Sequence, residues 1–74
     1  MKKYYLIKNE ETGYYLSAIN IGCTAAIKPI MWVSYKARAC HFENEEEAQA
    51  TITFIGAVLD WELEEQLQII EIID

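Results

Sequence analysis

Cys40-His41-x-Glu43, with Cys23 upstream, is the stretch of this chain whose residue types could hold a metal ion or activate a nucleophile. A metal site needs three or four ligands converging on one point. In an extended segment Cys40 and His41 face opposite sides of the backbone, so they do not share a small ion. His41 and Glu43 share a side but supply too few ligands, and the chain has no C-x-x-C and no second histidine. The same opposition of direction separates the Cys40 thiol from His41 as a nucleophile–base pair, and no motif places an Asn or Asp to orient the imidazole. Gly13, Gly22 and Gly56 stand singly, so no glycine-rich loop cradles a phosphate. These residues predict no catalysis, no metal and no cofactor.

Twelve acids leave a carboxylate pair conceivable on numbers alone. Glu45, Glu46 and Glu47, however, are what the positive end of a helix dipole attracts. Asp60, Glu62, Glu64 and Glu65 read as a solvated connection after that helix, with Trp61 inside it. Five tyrosines and two tryptophans exceed what so short a chain needs for its core, and Tyr and Trp are enriched where proteins bind proteins. Trp61 has two readings, a cap on the core beneath the loop or an exposed contact residue. The candidate protein-binding set is Trp61 with Asp60, Glu62, Glu64 and Glu65, together with Tyr4 and Tyr14 from the strands. Trp32, in the middle of a strand, is expected in the core.

Charge is divided along the chain. Residues 1–42 hold all six Lys and Arg with only Glu10 and Glu11 against them, whereas residues 43–74 hold ten acids and no Lys or Arg. The halves either neutralise each other across a sheet or leave an acidic interaction surface. Lys2, Lys3, Lys8, Lys28, Lys36 and Arg38 could form a basic patch interleaved with Tyr4 and Tyr14. A net charge of −6 nevertheless opposes binding to a polyanion, so direct nucleic-acid binding is disfavoured.

The elements that must position these residues follow from the pattern of apolar positions. Seventy-four residues make one domain, and 53% of them are apolar, enough for a core without a staple. Residues 4–8 and 14–20 are aromatic and β-branched strands, joined by the polar loop Asn9-Glu10-Glu11-Thr12-Gly13, whose glycine takes positive φ. Tyr5 and Ile7 share one face of the first strand; Tyr4, Leu6 and Lys8 share the other. Both faces carry apolar groups, which predicts a hairpin covered on one side and partly covered on the other. Residues 20–29, punctuated by Gly22 and Pro29, are ambiguous. Residues 30–35 read as a third strand, and 39–43 as a short fourth strand or an extended entry to the next element.

Asn44 then caps a helix, with Glu47 in the capping-box position. Ala48, Ile52, Ile55, Val58 and Leu59 form its apolar face. In the last segment Leu59, Leu63, Leu67 and Ile70 recur at helical spacing, but the isoleucine density of residues 66–73 favours a strand. That strand would return to the sheet and set Glu71 and Asp74 near the lysines of strand one. The expected fold is α+β, a small antiparallel sheet of three to five strands with one helix packed on a face, in the order β-β-β-(β)-α-β.

The run Tyr4-Tyr5-Leu6-Ile7-Lys8, then Thr12-Gly13-Tyr14-Tyr15-Leu16, Trp32, and Ala39 with Phe42 before Glu46-Glu47-Ala48, resembles small proteins encoded by phages and prophages of Gram-positive bacteria. The resemblance spans most of the chain and implies a mobile-element origin and a similar fold; it carries over no site residues. Met1-Lys2-Lys3 is followed by too short an apolar run for a secretory signal, and no stretch reaches the roughly 20 apolar residues of a membrane span. A cytoplasmic protein with two reduced thiols is expected. Its partner is expected to be a host or phage protein; the alternative is a self-associating structural or assembly protein whose partner is a second copy, in a homodimer, through a sheet edge or a helix face. A narrower form of the first reading is an acidic inhibitor of a host nucleic-acid-binding defence factor, in the manner of anti-CRISPR proteins. A ligand pocket between helix and sheet is a third reading.

Overall fold

The alternation of aromatic and β-branched residues in the first half of the chain produces strands, and the computed structural model describes residues 2–19, 30–59 and 61–73. Among the described residues four antiparallel strands form one sheet in the order β3-β2-β1-β4. They are β1 (Lys3–Asn9), β2 (Tyr15–Ile19), β3 (Ile30–Val33) and β4 (Leu67–Ile73). A 3₁₀ turn, Lys36–Arg38, follows β3. Helix α1 (Glu45–Phe54), a π-helical stretch Ile55–Leu59 and helix α2 (Trp61–Gln66) fill the connection to β4. The α+β architecture is the expected one, with a short second helix added. The ambiguous segment 20–29 and Asp74, expected near the lysines of strand one, lie outside the described residues. None of the described helices is long and apolar enough to cross a membrane.

The first hairpin turns on Gly13, whose φ of 80° costs glycine little and other residues more. Its two strands then part. Lys8 pairs with Tyr15 near the turn, but farther along Tyr5 pairs with Phe42, exchanging both backbone hydrogen bonds at 2.9 Å. The Cys40 N–H donates to the Leu16 carbonyl at 2.9 Å. Residues 40–42 therefore fill the fork between β1 and β2. The register of β2 against β3 shifts between Leu16 and Ala18, an irregularity beside this fork. The Ser17 hydroxyl donates to the Arg38 carbonyl at 3.2 Å. Of the two readings of residues 39–43, the extended entry is the better description, since Phe42 makes a single bridge.

Helix α1 begins as its sequence predicts. The Asn44 side chain accepts from the Glu47 N–H at 2.8 Å, and Glu45, Glu46 and Glu47 occupy the first turn. Ala48, Ile52 and Ile55 pack with Ile7, Leu16 and Ile30 in the core. Trp32, expected inside that core, is half-buried and packs against its margin with Phe42, because β3 is an outer strand of the sheet. Val58, expected on the apolar face of the helix, is 54% exposed. The π-helical stretch advances fewer degrees per residue than an α-helix, which carries Val58 off the buried side. Leu6 is also fully buried although it lies on the opposite face of β1 from Ile7.

Leu59 and Leu63, both against the core, keep the helical spacing through α2, and the isoleucine-rich run from Leu67 becomes β4. Each of the two periodicities governs its own part of the segment. Strand β4 pairs with β1 over its full length, from Asn9↔Leu67 to Lys3↔Ile73. The Lys3 ammonium reaches Glu71 at 2.9 Å, so one basic and one acidic group of the divided sequence do meet across the sheet.

Gly56 allows α2 to fold back closely on the π-helical stretch. A Cβ at residue 56 would lie 2.8 Å from the Glu64 Cβ and would also meet the Glu64 carboxyl group. Gly56→Ala is therefore expected to lower stability by about 1–3 kcal/mol through overpacking, although alanine is the better helix former by about 1 kcal/mol. Urea unfolding of the variant checks the sign.

Candidate functional site

The register of β4 against β1 decides which charged residues become neighbours. Asn9, the last residue of β1, faces Leu67, the first of β4. The turn that follows β1 must therefore lie beside the helix that precedes β4. Three sets of contacts fasten this corner. The Glu10 N–H donates to the Gln66 carbonyl at 2.8 Å, and the Asn9 amide donates to the Gln66 side-chain oxygen at 3.3 Å. The Asn9 side-chain oxygen accepts from the N–H groups of Glu11 at 2.8 Å and Thr12 at 3.3 Å. Asn9 is 4% exposed, and its side chain holds the turn and α2 together from inside.

The outcome is a depression of about 520 Å³ lined by Glu10, Glu11, Trp61, Glu62, Glu65 and Gln66. Trp61 is 64% exposed, so it is a surface residue and does not cap the core. Glutamates from the turn and from α2 surround an indole that water already reaches. Such a surface attracts cations, and a guanidinium or ammonium group over the indole face gains a cation–π contact of about 0.5–1 kcal/mol when exposed and more when desolvated.

The predicted binding residues are brought together only in part. Trp61, Glu62 and Glu65 share the depression. They belong to a helix rather than to a solvated connection, because Leu59 and Leu63 draw that stretch onto the core at helical spacing. Glu64 lies on α2 but turns back over Gly56. Asp60 is outside the described residues. Tyr4 lies elsewhere, stacked on His41 with ring centroids 4.2 Å apart. Tyr14 is 49% exposed and lines a separate depression with Trp32, Tyr35 and Arg38. Glu10 and Glu11 belong to the corner although the sequence reading does not single them out. Their signal is the pairing of β4 with β1, which places the two ends of that ladder side by side.

The Cys40–His41 stretch divides as alternation requires. His41 stacks on Tyr4, while Cys40 lines a small apolar depression of about 170 Å³ with Leu16, Phe42 and Thr51. Cys40 is a free thiol, and burial pushes its pKa up, which keeps it protonated and poorly nucleophilic. Cys23 lies outside the described residues. The pKa of Lys3 is raised by its hydrogen bond to Glu71 and by the charge of that carboxylate. Among the described residues no three His, Cys, Asp or Glu side chains converge as a metal site.

No family model, curated protein or solved structure matches this chain.

Replacing Asn9 by alanine removes the side-chain bonds that join the turn to α2 and leaves partly buried N–H groups without partners. A loss of about 1–3 kcal/mol is expected, read as a lower urea midpoint. Asn9→Asp should lose at least as much, since it buries a carboxylate beside Glu10 and Glu11 and removes the donor to Gln66.

Proposed function

We propose that this protein is a non-enzymatic binding domain of the cytoplasm whose acidic, tryptophan-bearing corner docks on a basic surface of a protein partner. The observation that carries the reading is Trp61, 64% exposed amid Glu10, Glu11, Glu62 and Glu65. A large aromatic group held in water costs hydration and is the kind of residue that anchors interfaces. The carboxylates around it raise the encounter rate with a basic partner and reject acidic ones. The corner is also braced from within by Asn9 and Gln66, so little order has to be gained on binding.

A narrower form of the same reading is a phage-encoded inhibitor that occupies the basic groove of a host nucleic-acid-binding factor. The clustering of carboxylates supports it, because it presents negative charge at a density that such a groove is built to accept.

Immobilised protein should retain a partner from host lysate at low salt and release it as salt rises. Trp61→Ala should weaken that binding at least tenfold, the effect of losing an anchor worth about 2 kcal/mol, with the urea midpoint nearly unchanged. Glu10→Lys with Glu11→Lys should slow association. Retention that ignores salt and survives Trp61→Ala would contradict the proposal.

A further inference from the structure

Strand β4 is an edge of the sheet, and the geometry points to a second copy of this chain as what pairs with it. The direction of its backbone groups can be worked out from β1. Tyr5 exchanges both its backbone hydrogen bonds with Phe42, and Asn9 directs its N–H to Tyr14. In an antiparallel ladder alternate residues point to alternate sides. Tyr4, Leu6 and Lys8 therefore face β4, and they bond to their partners Ile72, Ile70 and Gln68. Ile69, Glu71 and Ile73 then direct their N–H and C=O groups outward, as Leu67 does its C=O, and among the described residues no strand pairs with that edge.

Of the devices by which proteins guard a sheet edge, β4 carries one charged side chain, Glu71, which Lys3 of its own chain pairs. It contains no proline and no lysine, and its pairing with β1 runs without a bulge. Ile73 is 61% exposed. The other outer strand, β3, is four residues long, and its register against β2 shifts.

One register fits a two-fold pairing of β4 with itself. With Ile70 opposite Ile70 of the second copy, Leu67 faces Ile73, and Ile69 faces Glu71. All seven residues overlap, and the outward N–H groups of Ile69, Glu71 and Ile73 each meet a carbonyl of the other copy. Side chains from the helix-covered face also remain on one face through the joined sheets. A shift that sets Glu71 opposite itself would place like charges in direct contact.

Charge is compatible with the same arrangement. The acidic corner lies at the Leu67 end of β4, and Lys2 lies at the Ile73 end, where Lys3 is held by Glu71 of its own chain. Antiparallel pairing turns the acidic end of one copy toward Lys2 of the other, two strand spacings or about 10 Å away. The two Trp61 corners are left at opposite ends of the joined sheet, so the proposal does not depend on what Trp61 binds.

Sedimentation equilibrium of the full chain over a concentration series tests it. The expected mass is twice the 8.6 kDa of the chain. Ile73→Pro removes an outward N–H, and should return the mass to that of one chain with the far-ultraviolet circular dichroism unchanged. Ile70→Cys, made with Cys23→Ser and Cys40→Ser, should oxidise to a covalent dimer, because residues opposite one another in an antiparallel pair have Cβ atoms about 4.5–5.5 Å apart. Ile72→Cys in the same background should cross-link far less. A single-chain mass at every concentration, a dimer that folded Ile73→Pro leaves intact, or equal cross-linking at 70 and 72 would each overturn the proposal. Should Ile73→Pro fail to fold, the cysteine pair decides.

Discussion

Residues 40–42 occupy the fork between β1 and β2, and the rest of the molecule depends on that insertion. The hairpin strands pair beside their turn and then separate, so the ladder that would have continued at Tyr5 and Leu16 is completed by Phe42 and Cys40. Without those bonds the backbone groups of Tyr5 and Leu16 would be left without partners beside a buried core, at a cost of about 1–3 kcal/mol each. The insertion also fixes how the chain proceeds. Phe42 enters the margin of the core, and two residues later Asn44 caps α1, so the helix starts where Ala48, Ile52 and Ile55 meet Ile7 and Leu16. Alternation across Cys40-His41-Phe42 then separates the thiol from the imidazole. Cys40 meets Leu16 and Thr51, and His41 meets Tyr4.

The candidate surface follows from a second constraint, the register of β4 on β1. Asn9↔Leu67 makes neighbours of residues far apart in the chain, and the buried Asn9 side chain secures them. Charge is divided only in part along the sheet, since Lys8 lies one residue from the acidic end and Glu43 and Glu71 lie beside the lysines of the other. One end carries Lys2 and Lys3 near Tyr4 and His41, with Lys3 paired to Glu71. The other gathers Glu10, Glu11, Glu62 and Glu65 around Trp61.

Much of this is legible in the sequence. The strand pattern of β1 and β2, the glycine turn and the Asn44 cap are local signals, each with its own physical cause, and they predict the elements in which they occur. The final segment is readable as two competing periods. Leu59 and Leu63 belong to the helical one and the isoleucines after Leu67 to the strand one, yet composition alone does not say where one yields to the other. The fork is not legible, because it depends on backbone bonds that no side chain announces. Glu10 and Glu11 escape notice for a related reason. A turn carries no mark of the helix it will lie beside until strand order is known.

Hydrogen exchange of individual amides, followed by NMR under native conditions, tests the role of the fork most directly. The account predicts that the N–H groups of Tyr5, Cys40 and Phe42 exchange only on global unfolding, as slowly as that of Leu6 in the β1–β4 ladder. Exchange of those three at the rate of the exposed hairpin turn, while Leu6 remains protected, would contradict it.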